Sequence, residues 1–199
     1  MQYKLLASDF DNTLVPFGEP CPRPAVVKAV KKMQAAGGKF VLSTGRGYCV
    51  INKQQLGGIR FDYAITCNGA CVTDSKGTVV AEHPLTNEEM YALVDFFEDY
   101  DLPLRFTYHD ANYAYLGYEE FARREREKNL ALNIVDGEDQ DQHLQEMPFG
   151  AFGFLSQEMA DRFQEKYGYL GLKFLFSYPG SNGCDILQQG VDLSLIHIS

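Results

Sequence analysis

Two carboxylates one residue apart, Asp9 and Asp11, close the short apolar run Leu5-Leu6-Ala7-Ser8. Side chains two apart on an extended chain point the same way, so both acids would converge just beyond the carboxyl end of a strand. Open parallel sheets bind their ligands at that end. Two carboxylates this close stay ionised together only with a cation between them, and a hard metal such as Mg²⁺ suits an all-oxygen donor set. Asn12 tolerates the left-handed backbone that a sharp exit from the strand requires. The same residues also read as a strand followed by an Asx-type turn with no chemistry, and the stretch alone leaves both readings open.

Two further strand ends carry polar residues. Lys39-Phe40-Val41-Leu42-Ser43 reads as a strand ending in Thr44-Gly45-Arg46, and Tyr63-Ala64-Ile65-Thr66-Cys67 as a strand closed by Asn68-Gly69. A helix that opens near Pro24 and ends at Gly37-Gly38 precedes the first of these strands, and a second is expected between the two, from about Tyr48 to Leu56. Strands alternating with helices over short joins imply a buried parallel sheet with right-handed crossovers. The three polar tips then share one edge. Beyond residue 70 the pattern changes to hairpins (Val72 to Ala81, Leu104 to Leu116) and to helices, one opened by a Thr86/Glu89 capping box. This second part reads as α+β.

The chain has 199 residues, 45% of them hydrophobic, 23% charged, and a net charge of −9. That balance argues against general nucleic-acid or anionic-membrane binding, although a local metal can still draw a phosphorylated ligand to an acidic surface. No apolar run reaches membrane-spanning length, and with Met1-Gln2-Tyr3-Lys4 leading straight into a strand no signal peptide is expected. Five cysteines without metal-ligand spacing are expected to be reduced thiols in the cytoplasm. The acidic run at Asp136, Glu138, Asp139 and Asp141 reads as a solvated loop, and Gly45-Arg46-Gly47 is no dinucleotide fingerprint, because Val50 stands where the third glycine belongs.

Asp9-Phe10-Asp11-Asn12-Thr13-Leu14 resembles the first motif of the haloacid dehalogenase superfamily, and Ser43-Thr44-Gly45-Arg46 its second motif as written in the Cof-type subfamily. Ile65-Thr66-Cys67-Asn68-Gly69-Ala70 resembles the segment preceding that subfamily's large C2-type (IIB) cap. The resemblance implies an α/β fold, a Rossmann-like parallel-sheet core with an inserted α+β cap domain. The expected divisions are 1–83 for the first part of the core, 84–184 for the cap, 185–192 for the return to the core and 193–199 for a non-native tail. It also implies a Mg²⁺-dependent phosphomonoester hydrolase acting on small phosphorylated metabolites such as sugar phosphates. Asp9 would be the nucleophile and Asp11 the general acid and base. Thr44 and Gly45 would bind the phosphoryl group, and Mg²⁺ would be held by Asp9, the carbonyl of Asp11 and a later acidic residue. Arg46 either steers an anionic substrate or pairs with a carboxylate, and Asn68 either touches substrate or only shapes its turn. The alternatives are a phosphomutase of the same superfamily or a non-catalytic phosphate- or metal-binding module. The long insertion after Asn68 argues against the module.

Two departures stand out. Asn12 replaces the commoner glycine. Cys184 to Asp192 resembles the lead-in to the family's third-motif lysine, yet Leu193 stands at the lysine's place, and no fourth acidic motif follows. Leu193-Ser194-Leu195-Ile196-His197-Ile198-Ser199 is also a direct translation of the transposon end used to fragment DNA for sequencing, so adapter read-through is the expectation for this tail. A sheet lacking the strands that normally follow the cap would expose an edge and apolar faces, so the 199-residue chain is expected to be nearly inactive and prone to aggregate.

Overall fold

The computed structural model describes residues 4–128, 131–191 and 193, and within them the chain divides into two compact units, residues 4–82 with 193, and residues 83–191. Residues 194–199 of the expected tail lie outside the described residues.

The first unit is a five-stranded sheet in the order β1-β2-β3-β4-β5. β1 (Leu5–Asp9), β2 (Lys39–Ser43) and β3 (Tyr63–Thr66) are parallel; β4 (Cys71–Asp74) and β5 (Val79–Glu82) complete the sheet antiparallel. Helix α1 (Pro24–Ala35) starts on its proline and turns Val30 inward. Its core gathers Phe10, Leu14, Val30, Phe40, Leu42, Leu56, Phe61 and Ala64.

Two expectations are corrected here. The helix from Tyr48 to Leu56 is instead two short 3₁₀ turns, Tyr48–Val50 and Lys53–Leu56. Ile51 and Asn52 between them are extended, and the Asn52 side chain accepts from the Gln54 N–H at 2.9 Å, so asparagine caps a new turn rather than extending the old one. β1 is also not a buried strand. Among the described residues its only neighbour in the sheet is β2, and Leu5 and Leu6, on opposite faces, are 49% and 42% exposed.

The second unit opens with α2 (Asn87–Asp99), whose capping box is complete. Thr86 Oγ1 accepts from the Glu89 N–H at 3.2 Å, and Glu89 Oε2 accepts from the Thr86 N–H at 2.7 Å. β6 (Leu104–Thr107), β7 (Asn112–Leu116), α3 (Tyr118–Glu127), β8 (Ile134–Asp136), β9 (Gly150–Phe154), α4 (Gln157–Tyr167), β10 (Lys173–Phe176) and β11 (Gly183–Leu187) follow. The sheet order is β10-β11-β9-β6-β7-β8, antiparallel except for the parallel β7–β8 pair. Met90, Leu93, Phe96, Phe97 and Phe163 from α2 and α4 pack with Leu104, Phe106, Ala151, Cys184 and Ile186 of the sheet. Gly153 is required beneath this layer, because a side chain there would collide with the Phe97 ring.

The expected return to the first unit at Asp185 does not occur there. β11 pairs antiparallel with both β9 and β10, and Cys184 and Ile186 face the second unit's core. The second unit continues through residue 191. Alternation of apolar residues is satisfied equally by either sheet, so only the pairing decides. Among the described residues, no helix is long and apolar enough to cross a membrane.

Candidate active site

β1 delivers Asp9 at its last position, and the chain then turns sharply. Asn12 adopts φ 60°, the left-handed conformation its side chain tolerates. Three backbone bonds close the turn: Asn12 N–H to Val15 O at 2.9 Å, Leu14 N–H to Asp9 O at 3.1 Å and Val15 N–H to Phe10 O at 2.9 Å. Phe10, Leu14 and Val15 are buried and anchor it. The acids are thus held by the residues after the strand rather than by the strand's own burial. Thr13 Oγ1 donates to Asp9 Oδ2 at 3.1 Å.

Arg46 reaches Asp11 from the tip of β2. Its Nε and Nη2 donate to the two oxygens of the Asp11 carboxylate at 2.9 and 2.7 Å, a bidentate pair. The guanidinium lies over the Phe10 ring, 4.6 Å from its centroid, and Nη1 reaches Gln55 Oε1 at 3.5 Å. Of the two readings open for Arg46, pairing with a carboxylate is the one observed. Both partners are partly exposed, so the pair contributes at most about 1 kcal/mol to stability; its effect is on where Asp11 points. Phe10 and Gln55 were not singled out from the sequence. Nothing in the alternation Asp9-Phe10-Asp11 signals that the ring between the acids would support an arginine from the tip of another strand.

Thr44 is buried at the end of β2. Its N–H donates to Ile65 O at 2.9 Å, and its Oγ1 accepts the Arg46 N–H at 3.2 Å. The exit of β3 is tied to the same place, with the Cys67 N–H donating to Arg46 O at 2.9 Å. Cys67, Asn68 and Gly69 have φ of 52°, 55° and 111°, three successive left-handed residues. For a cysteine that conformation costs on the order of 1–2 kcal/mol. It lays the Asn68 amide against Gly45, where a β-carbon would stand 2.7 Å from Asn68 Oδ1. Gly45 is therefore small because Asn68 needs the space. The structure joins Asp11 to Arg46, Arg46 to Thr44, and Gly45 to Asn68; Asp9 is bonded to Thr13.

Among the described residues, no group of three or more His, Cys, Asp or Glu converges on one point. The donors at Asp9 and Asp11 are nonetheless all oxygen and partly open to solvent. That set fits a magnesium ion, which keeps several waters and takes one or two carboxylates together with substrate phosphate.

A family model described as haloacid dehalogenase-like hydrolase matches residues 6–192. No curated protein sequence matches the chain. Several solved structures share its fold. One is a hypothetical protein from Geobacillus kaustophilus, 21% identical with TM-score 0.79, over 98% of this chain and 73% of that one. Another is a phosphatase of the haloalkanoate superfamily from Bacteroides thetaiotaomicron, 16% identical with TM-score 0.79, over 98% and 71%. A third is a subclass IIB sugar phosphatase, 21% identical with TM-score 0.74, over 96% and 72%.

Proposed function

The chain belongs to the haloacid dehalogenase-like hydrolases, and from that premise we propose that it hydrolyses phosphate monoesters of small metabolites through an aspartyl-phosphate. The observation that carries this reading is the pinned pair of acids at the end of β1, with Arg46 locked on Asp11 and the Thr44–Gly45 backbone tied beside the exit of β3. That sugar phosphatases and other phosphatases share the fold supports the class of reaction.

In the proposed reaction an oxygen of Asp9 attacks phosphorus, and the bond from phosphorus to the ester oxygen breaks. Asp11 gives its proton to that leaving oxygen. It then takes a proton from the water that attacks the aspartyl-phosphate, releasing inorganic phosphate and restoring the Asp9 carboxylate. To serve as an acid, Asp11 must first leave the Arg46 guanidinium, so substrate binding and release of that ion pair are coupled. Thr44 and the N–H groups near Gly45 orient the phosphoryl oxygens, and Asn68 supplies an amide at the same edge. Mg²⁺ would be held by Asp9 and the carbonyl of Asp11, and when bound it neutralises charge on the transferring phosphoryl group. With no third acidic group beside these two among the described residues, turnover by these 199 residues alone is expected to be low.

The test is a phosphatase assay on this chain and on the product of the full reading frame, with and without Mg²⁺. Asp9→Asn is expected to lower turnover by on the order of 10⁴-fold. Unchanged turnover in that variant would end the nucleophile assignment. Transfer of the phosphoryl group to a second sugar hydroxyl in place of water would select a phosphomutase instead.

A further inference from the structure

Charge is spread unevenly along this acidic chain. Between Glu19 and Asp62 the sequence holds no acidic residue, yet it carries Arg23, Lys28, Lys31, Lys32, Lys39, Arg46, Lys53 and Arg60. Helix α1 lies within this stretch, and its lysines at 28, 31 and 32 are exposed. Among the described residues, Lys39 pairs with Asp62 at 2.7 Å and Arg46 with Asp11, whereas the three lysines of α1 pair with no carboxylate.

The start of α1 forms one side of a groove of about 450 Å³. Cys21, Pro22, Pro24 and Val27 give it an apolar lining, closed on the other side by Gly57. Gly57 ends the Lys53–Leu56 turn at φ 59°, and a β-carbon there would stand 3.3 Å from both Pro22 Cδ and Val27 Cγ2. Lys28 and Lys31 complete the lining. A β-carbon on Gly58 would stand 3.3 Å from Lys31 Nζ, so this ammonium lies against the backbone beside the groove. The lysine stems extend the apolar surface and their charged ends rim it.

We propose that this groove binds a small monocarboxylate with a hydrocarbon chain, the chain on Pro22, Pro24 and Val27 and the carboxylate held by Lys28 and Lys31. An apolar groove rimmed by unpaired ammonium groups is complementary to a molecule with an apolar body and one anionic end. A small anion without a chain meets only solvated surface charges, which hold it weakly. A cationic end is repelled. The absence of acids from Pro20 to Phe61 matters here, because a neighbouring carboxylate would occupy the lysines and flatten the local field. The site is built from α1, the segment before it and the Gly57 turn, and its binding does not rest on the proposed function.

The test is a ligand-observed NMR titration of the full 199-residue chain with octanoate, octylammonium and acetate in parallel. Saturable binding of octanoate is expected, at least about tenfold tighter than that of the other two. Lys28→Glu with Lys31→Glu is expected to weaken octanoate at least about tenfold, and Asp9→Asn to leave it unchanged. Lys31→Gln, which removes one charge from an exposed position, gives the same reading in smaller measure should the double variant not fold. Absence of saturable octanoate binding overturns the proposal, as does equal binding by the lysine variants. Octylammonium binding as well as octanoate would leave only an apolar patch, and acetate binding as well would leave only surface charge; either overturns it. Binding to phosphatidylglycerol vesicles without binding of free octanoate overturns it in favour of a membrane surface. Phosphatase activity does not enter these measurements, so the two readings fail separately.

Discussion

β1 and β9 are both five-residue strands, yet they stand in opposite surroundings. β9 has β11 and β6 on its two sides and packs Ala151 against a layer of phenylalanines. Among the described residues β1 has β2 alone, and its apolar residues are exposed on both faces. The strand that delivers Asp9 is poorly covered, and the loop after it, through Phe10, Leu14 and Val15, holds the site. Stability and chemistry therefore rest on different residues, and substitutions can separate them.

The largest expected effect is on packing. Phe106→Ala removes a fully buried ring from the second unit and is expected to cost about 3–5 kcal/mol in urea unfolding. Leu6→Ala, on β1, is expected to cost less than about 0.5 kcal/mol. Similar losses at the two positions would erase the contrast between the strands.

Arg46→Lys comes next and divides the two properties within the first unit. A lysine cannot span both oxygens of Asp11 or stack on Phe10 as a planar guanidinium does. Catalytic efficiency is expected to change by roughly tenfold, while unfolding free energy stays within about 0.5 kcal/mol. A large loss of stability with intact turnover would assign Arg46 to the fold instead.

What was legible in the sequence follows the range of the interaction. The sharp exit at Asn12 and the Thr86/Glu89 capping box depend on residues close to one another in the chain, and each forms as read. The Arg46–Asp11 pair spans 35 positions and stayed one of two readings until the fold brought the groups together. β11 illustrates the harder case, since Cys184 and Ile186 could line either sheet and only hydrogen-bond register selects one. The exposure of β1 was hidden for the same reason. An apolar run announces a strand without announcing how many neighbours it has.

A smaller effect separates the second unit's two sheet faces by pH. The folded-state carboxyl of Asp185 is raised, so the folded chain holds its proton more tightly than the unfolded chain does. Stability from this group is fully present below the ordinary carboxylate range and is lost as pH rises from there through the raised value. Asp62 and Asp74 are lowered and act with the opposite sign, so the comparison is between wild type and Asp185→Asn in urea between about pH 4 and about pH 7. The variant is expected to gain on the wild type as pH rises. A constant difference would remove Asp185 as the source.

The smallest expected change in folding free energy is also the sharpest probe of β1. Leu6→Lys places a charge on an exposed side chain of an edge strand, the device by which natural sheets discourage pairing with another chain. Unfolding free energy is expected to stay within about 0.5 kcal/mol, since no buried contact is lost. Light scattering at rising protein concentration is expected to show less association than for the wild type, because the exposed leucines and the open backbone edge are what a second copy would meet. If the lysine instead unfolds the first unit, Leu6 is held in a contact that its exposure does not show. Unchanged association together with unchanged stability would mean that the open edge of β1 is not the adhesive surface, and would move attention to the other exposed apolar residues of the unit, beginning with Phe17.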